Sequence, residues 1–230
     1  MTEFPYTLLK EGHIEWEIKR SRFLGDAYPV TTEEEALEYI SMVKKREKGA
    51  RHHCSAYVVG KQGVYQRYSD DGEPQGTAGI PMLEVLKKTG ITNIVVIATR
   101  YFGGIKLGAA GLARAYAKTC QEAVAAGFPV KRDKYRICRF VLDYSKAAEW
   151  DYRQRQHETV LELEKSYSEA VTYTLAIAED AYSEIAEELR DFTDGQISVE
   201  IFGVMPIAVK DGKALEEVNW KESIEIISSS

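Results

Sequence analysis

The sequence has no apolar run approaching the ~18 residues of a membrane-spanning helix, so no span and no membrane partner are expected. Cysteine is scarce: Cys54, Cys120 and Cys138 are odd in number and widely spaced. That argues against a disulfide frame and for a reducing, cytoplasmic compartment. With no CxxC pair there is no zinc motif. The absence of GxxxxGK[ST] argues against a Walker-type nucleotide loop. The acidic run DDGE lacks the alternate-residue ligands of an EF-hand. No metal and no cofactor are therefore expected. The opening residues MTEFPYTLLKEG carry acids and lack an apolar core, so they do not read as a signal peptide.

Positive charge is not in excess either: 30 Lys+Arg stand against 36 Asp+Glu in 230 residues, a net charge of −6. Its distribution is uneven. Residues 1–130 hold 17 Lys+Arg and 15 Asp+Glu, which leaves 13 and 21 for residues 131–230. The shift follows Gly127-Phe128-Pro129, and the domain boundary is placed there. An acidic second half is poor material for a phosphate-binding face, so nucleic-acid contact is expected on the first half.

What is present in abundance is two glycine-rich loops between 68 and 111, each leaving an extended run and opening into a helix. The first, Ser69-Asp70-Asp71-Gly72-Glu73-Pro74, is turn-forming by composition. Thr77 is expected to cap a helix over 78–88. Its three carboxylates are open to four readings: a solvated turn, salt-bridge partners, recognition, or acid–base and metal chemistry. The second loop follows the β-branched run IVVIA at 94–98, the pattern of a strand covered on both faces. Arg100, Tyr101 and Phe102 then lead into Gly103-Gly104 and Lys106. The small residues Gly108, Ala109, Ala110, Gly111 and Ala113 make the next helix thin. They permit close packing on a sheet, or leave bare N–H groups for an anion.

The remaining periodicity completes two patterns. In the first half, strands at 14–18 and 23–30 flank Lys19-Arg20-Ser21-Arg22, a basic cluster at a turn. Thr32 with Glu35 fits a capping box for the next helix. Arg51-His52-His53-Cys54 opens a strand at 55–60, and 63–68 is its hairpin partner. His52 and Cys54 would share a strand face, which leaves a Cys–His nucleophile or a metal site open beside a plain core reading. With helices over 78–88 and 106–126 the order is ββαββαβα, a layer of helices over a sheet. The second half reads βαββαβ, the ferredoxin-like order. Ser145 and Asp180 are expected to cap its two helices. Residues 211–230 read as a polar, loose tail with a short strand at 224–227.

Five segments carry a resemblance: Arg20-Ser21-Arg22-Phe23, Arg51-His52-His53-Cys54, the first glycine loop, Gly76-Thr77-Ala78-Gly79-x-Pro81, and Thr99-Arg100-Tyr101-Phe102-Gly103-Gly104-x-Lys106-Leu107-Gly108. At these residues the chain resembles the IMPACT family. The resemblance implies an α+β protein of two domains. The first, 1–130, would hold a left-handed β-α-β unit like domain IV of elongation factor G. The second, 131–210, would be a ferredoxin-like domain similar to domain V of that factor. It implies a link to translation, since eukaryotic members regulate translation under amino-acid stress. No RWD domain like that of those members is expected in this chain. The resemblance supplies no catalytic residues.

Three functional readings follow. The first is a non-catalytic binding protein that contacts RNA, the ribosome or a translation-associated protein. Its first-domain edge bears Arg20, Arg22, Arg51, Arg100 and Lys106 beside Tyr101 and Phe102. The second is an enzyme using His52, Cys54, Asp70, Asp71 or Glu73, with an anion held at 103–108. The third is a protein-interaction module working through the acidic second half. The candidate binding set is Arg20, Arg22, Arg51, His52, Ser69, Asp70, Asp71, Glu73, Arg100, Tyr101, Phe102, Gly103, Gly104 and Lys106.

Overall fold

The run IVVIA does become a strand with no exposed face. In the computed structural model, which describes residues 6–60 and 63–221, it forms the centre of a five-stranded sheet. The described residues divide into two compact units, one ending at Lys131 and the other beginning at Arg132.

In the first unit, β1 (Thr7–Leu8) precedes a hairpin of β2 (Gly12–Ile18) and β3 (Ser21–Pro29). Helix α1 (Glu33–Arg46), strands β4 (His52–Val59) and β5 (Tyr65–Ser69), and helix α2 (Gly79–Thr89) follow. Strand β6 (Ile94–Tyr101), helix α3 (Ala109–Ala126) and β7 (Pro129–Val130), which pairs with β1, complete it. The sheet order is β2-β3-β6-β4-β5, antiparallel throughout.

Alternation along β6 divides the core. Ile94, Val96 and Ala98 meet α2 and α3 through Met82, Leu86, Leu112, Tyr116 and Cys120. Val95 and Ile97 meet α1 through Ala36 and Val43, beside Tyr28 and Tyr57. Helices therefore cover both faces of this sheet, not one as the linear order suggested. The both-face burial follows from the continuous apolar run, because each alternate side chain must find its own helix.

In the second unit, β8 (Asp133–Leu142), α4 (Tyr144–Gln154), β9 (Val160–Tyr167), β10 (Val171–Ala178), α5 (Tyr182–Phe192) and β11 (Glu200–Ile207) form a βαββαβ unit. Its antiparallel sheet, ordered β11-β8-β10-β9, has the ferredoxin-like arrangement. Phe140, Trp150 and Tyr173 centre the core between sheet and helices. Neither Ser145 nor Asp180 caps a helix: the N-cap positions are Asp143 and Ala181, without side-chain hydrogen bonds.

The segment read as a loose tail is packed as far as residue 221. A ribbon of β12 (Val209–Lys210) and β13 (Lys213–Ala214) leads to Trp220. Trp220 is buried against Tyr135, Ile137, Leu161 and Ile207 on the sheet face opposite α4 and α5. Arg132 holds Glu216 through two hydrogen bonds of 2.8 Å. The strand expected at 224–227 lies outside the described residues.

Candidate functional site

Antiparallel register brings the distant motifs to one end of the first sheet. Arg22 pairs with Tyr101, Phe23 with Arg100, and Arg100 with His52, while Ser55 pairs with Ser69. The β2–β3 turn, the start of β4, the first glycine loop and the second glycine loop therefore share that end. Their side chains part to opposite faces or to solvent.

The first-loop carboxylates turn inward. Asp70 accepts hydrogen bonds from the backbone N–H groups of Gly76, Ala78 and Gly79 at 2.7, 3.0 and 2.8 Å. It caps α2 from outside the helix, satisfying N–H groups that have no intrahelical partner. Thr77, expected in that role, instead donates to the Pro74 carbonyl at 2.6 Å. Asp71 accepts from the Lys44 ammonium at 2.8 Å and from the His53 N–H at 2.7 Å. Burial pushes its carboxyl up, but these two donors outweigh it and hold the group below its ordinary value. Ser69, at the exposed end of β5, accepts from the Asp71 N–H at 3.3 Å.

Glu73 is buried against Arg100, itself only 5% exposed, at 2.7 Å. The Tyr116 hydroxyl donates to the same Glu73 oxygen at 2.8 Å. Burial first, then the neighbouring Cys54 and Glu73, pushes the Tyr116 hydroxyl far above its ordinary value, so it stays a donor. The Arg100 guanidinium also reaches Ser21 and lies between the rings of Phe23 and Phe102, 5.6 and 5.3 Å away. Arg100 therefore leaves the set of exposed cations. On β6 it continues the face of Ile94, Val96 and Ala98, and that alternation was the signal of its burial. Glu73, in a loop with no such alternation, leaves the exposed set as the buried partner of Arg100.

The Cys–His pairing does not form. Cys54 donates to the Asp70 carbonyl, and burial pushes its thiol up to about 12. His52 lies with Nδ1 2.9 Å from the Asp71 carbonyl, over Gly72. His52 and Cys54 are thus held by the loop backbone, through the Asp71 and Asp70 carbonyls, while the carboxylates of Asp70, Asp71 and Glu73 are taken up by other donors. Among the described residues, no cluster of three His, Cys, Asp or Glu side chains is placed to hold a metal.

The exposed set is cationic and aromatic. The β2–β3 turn holds Lys19 and Arg20 at φ 47° and 64°. Two consecutive non-glycine residues in the left-handed region are costly, and hairpin turns of this geometry favour Asn-Gly. The carbonyl of Arg20 sits where a Cβ on Gly103 would stand, 1.9 Å away. Only glycine admits that approach, and the Gly103 N–H donates to Ser21 at 3.2 Å. Gly104 takes φ 86° and turns the loop outward. Arg20, Arg51 and Lys106 are exposed, and among the described residues none has an ion-pair partner. Arg22 stacks over the Tyr101 ring at 4.5 Å and meets Glu15 at 3.5 Å. The Tyr101 hydroxyl donates to Glu47 at 2.8 Å, and that bond pushes the phenol up. Phe102 is 49% exposed. Lys19 joins the cations singled out from sequence. Arg114 and Lys118, on the exposed flank of α3, were passed over because they fall outside any motif.

This fold and this site define a class: a two-unit α+β protein whose first unit gathers its loop acids inside one sheet end and its cations outside. The pattern described as the Impact N-terminal domain matches residues 19–124. The chain is 40% identical over 195 residues to the IMPACT family member YvyE of Bacillus subtilis, spanning 85% of this chain and 89% of that protein. It is 30% identical over 185 residues to YigZ of Escherichia coli, spanning 80% and 90%. A solved structure described only as a hypothetical protein is similar with a TM-score of 0.54 at 27% identity, covering 86% of this chain and 97% of that one. The chain belongs to the IMPACT family. Among the described residues, no helix is long and apolar enough to cross a membrane.

Proposed function

We propose that the chain is a non-catalytic binding protein linked to translation or its regulation. It contacts RNA, alone or on the ribosome, through the outward end of its first unit. The observation that carries this reading is the sorting of charge at that end. Asp70, Asp71 and Glu73 are each engaged by hydrogen bonds within the fold. Arg20, Arg51 and Lys106 remain exposed without ion-pair partners among the described residues. Exposed cations beside an exposed aromatic ring fit a phosphate backbone carrying bases that can stack. Family membership supports the link to translation, since eukaryotic members act there. The role of those members is not carried over.

The test is RNA capture from lysate, with and without ribonuclease, followed by binding to purified RNA across a salt series. Arg20→Ala/Arg51→Ala/Lys106→Ala is expected to weaken binding and to flatten its salt dependence by about one unit of slope per lost phosphate contact. Binding indifferent to salt and to this variant overturns the reading. A partner retained after ribonuclease treatment moves the contact to a translation-associated protein.

A further inference from the structure

Beside the hairpin tip, strand β2 and helix α3 enclose a groove of about 250 Å³. Trp16, Ile18 and Leu107 form its apolar lining, and Lys19, Arg114 and Lys118 surround it. No carboxylate lines it. The nearest counter-charge on α3 is Glu122, a loose 3.6 Å from the Lys118 ammonium. Lys19 and Arg114 are exposed and, among the described residues, have no ion-pair partner.

Trp16 is fixed in place. Its indole N–H donates to Thr119 at 2.9 Å and its ring stacks on Phe23. Its other neighbour is the Lys118 ammonium, 4.1 Å from the ring centre. That ammonium is on a long, half-exposed stem and can leave the ring for a stronger anion. Arg114 and Lys118 are four residues apart on α3, so their charges sit one above the other along one helix face.

Resting on the RNA-binding reading above, the geometry points to this groove as a nucleotide subsite: it takes one base of a single-stranded RNA, with the flanking phosphates held by Lys19, Arg114 and Lys118. The occupant follows from shape and charge together. The slot is too small for an amphipathic helix, which needs several anchors along a longer groove. An all-cationic rim around an apolar lining matches a flat ring between negative charges. The strained Lys19-Arg20 turn, its Arg20 backbone braced against Gly103, sets the backbone from which Lys19 extends.

The experiment titrates the full chain with an oligouridylate of about ten nucleotides, within the usual site size for single strands. Two signals are followed: anisotropy of the labelled oligonucleotide and intrinsic tryptophan emission. The emission should be quenched on binding, and Trp16→Phe should abolish the quench while leaving Trp150 and Trp220 emission. Lys19→Glu/Arg114→Glu, at exposed positions, should weaken binding at least about tenfold, the scale of lost phosphate contacts. Inorganic polyphosphate should compete without quenching. Oligonucleotide binding with no Trp16-dependent quench, and unchanged in Lys19→Glu/Arg114→Glu, overturns the groove but leaves the broader reading. Equal quenching by polyglutamate, with the same Arg114 dependence, overturns the nucleotide assignment. Absence of RNA binding in every chain overturns both.

Discussion

Arg100 shows how a charge can mislead. Placed at the end of a strand and beside glycines, it reads as a ligand-binding cation. Its side chain instead closes the core, with Glu73 and Ser21 accepting from its guanidinium and Tyr116 donating to the same Glu73 oxygen. Removing one partner of such a pair strands the other without water, which costs about 3–5 kcal/mol. Glu73→Ala and Arg100→Ala should each lower stability by that amount in urea denaturation. Arg100→Met/Glu73→Leu should recover part of the loss. An Arg100 substitution is thus a probe of folding, and the binding surface is better tested at Arg20, Arg51 and Lys106. Asp71 carries a pH signature of its own. Its carboxyl titrates lower in the folded chain than the ordinary value of 3.8. The stability it contributes is therefore complete above that ordinary value and is lost as pH falls through the lower folded one. In denaturation at stepped pH, the gap between wild type and Asp71→Asn should be widest near neutrality. It should close below the ordinary carboxyl range.

At the scale of elements, the sequence was most informative where one physical requirement dominated. A continuous β-branched run can only be central, and β6 is buried along nearly its whole length. Thr32 caps α1 as the local pattern dictates, while Glu35 reaches Thr31 rather than the cap residue. Local rules misassigned the cap of α2, because the residue that fulfils it stands nine positions before the last N–H it binds. The β2–β3 turn makes the opposite point. Lys19 and Arg20 are poor residues for two left-handed positions. Lys19→Asn/Arg20→Gly should therefore stabilise the chain by at least about 1 kcal/mol. The same variant should lose RNA affinity, and thermal melts paired with anisotropy titrations would read both. A turn that gains nothing from this exchange would show that the strain is relieved elsewhere.

For the whole molecule, composition located the acidic half but misjudged its last segment. Residues 211–221 are polar on average, yet Val218 and Trp220 supply the apolar anchors that cover an otherwise open sheet face. Average hydrophobicity hides two well-placed side chains. Trp220 packs beside Phe202, and Arg139 lies over both rings at 5.4 and 4.7 Å. Trp220→Ala should cost about 3 kcal/mol, near the lower end for large aromatic truncations. It should also raise binding of an apolar dye, because Tyr135 and Leu161 lose their cover. The first unit's melting should be unaffected if each core is independent.

The contact between Gly103 and the Arg20 carbonyl has a wider consequence. It brings two stretches more than eighty positions apart into backbone contact, with no room for even a methyl group between them. Whatever seizes the tip of the first hairpin therefore also grips the entrance to the long third helix.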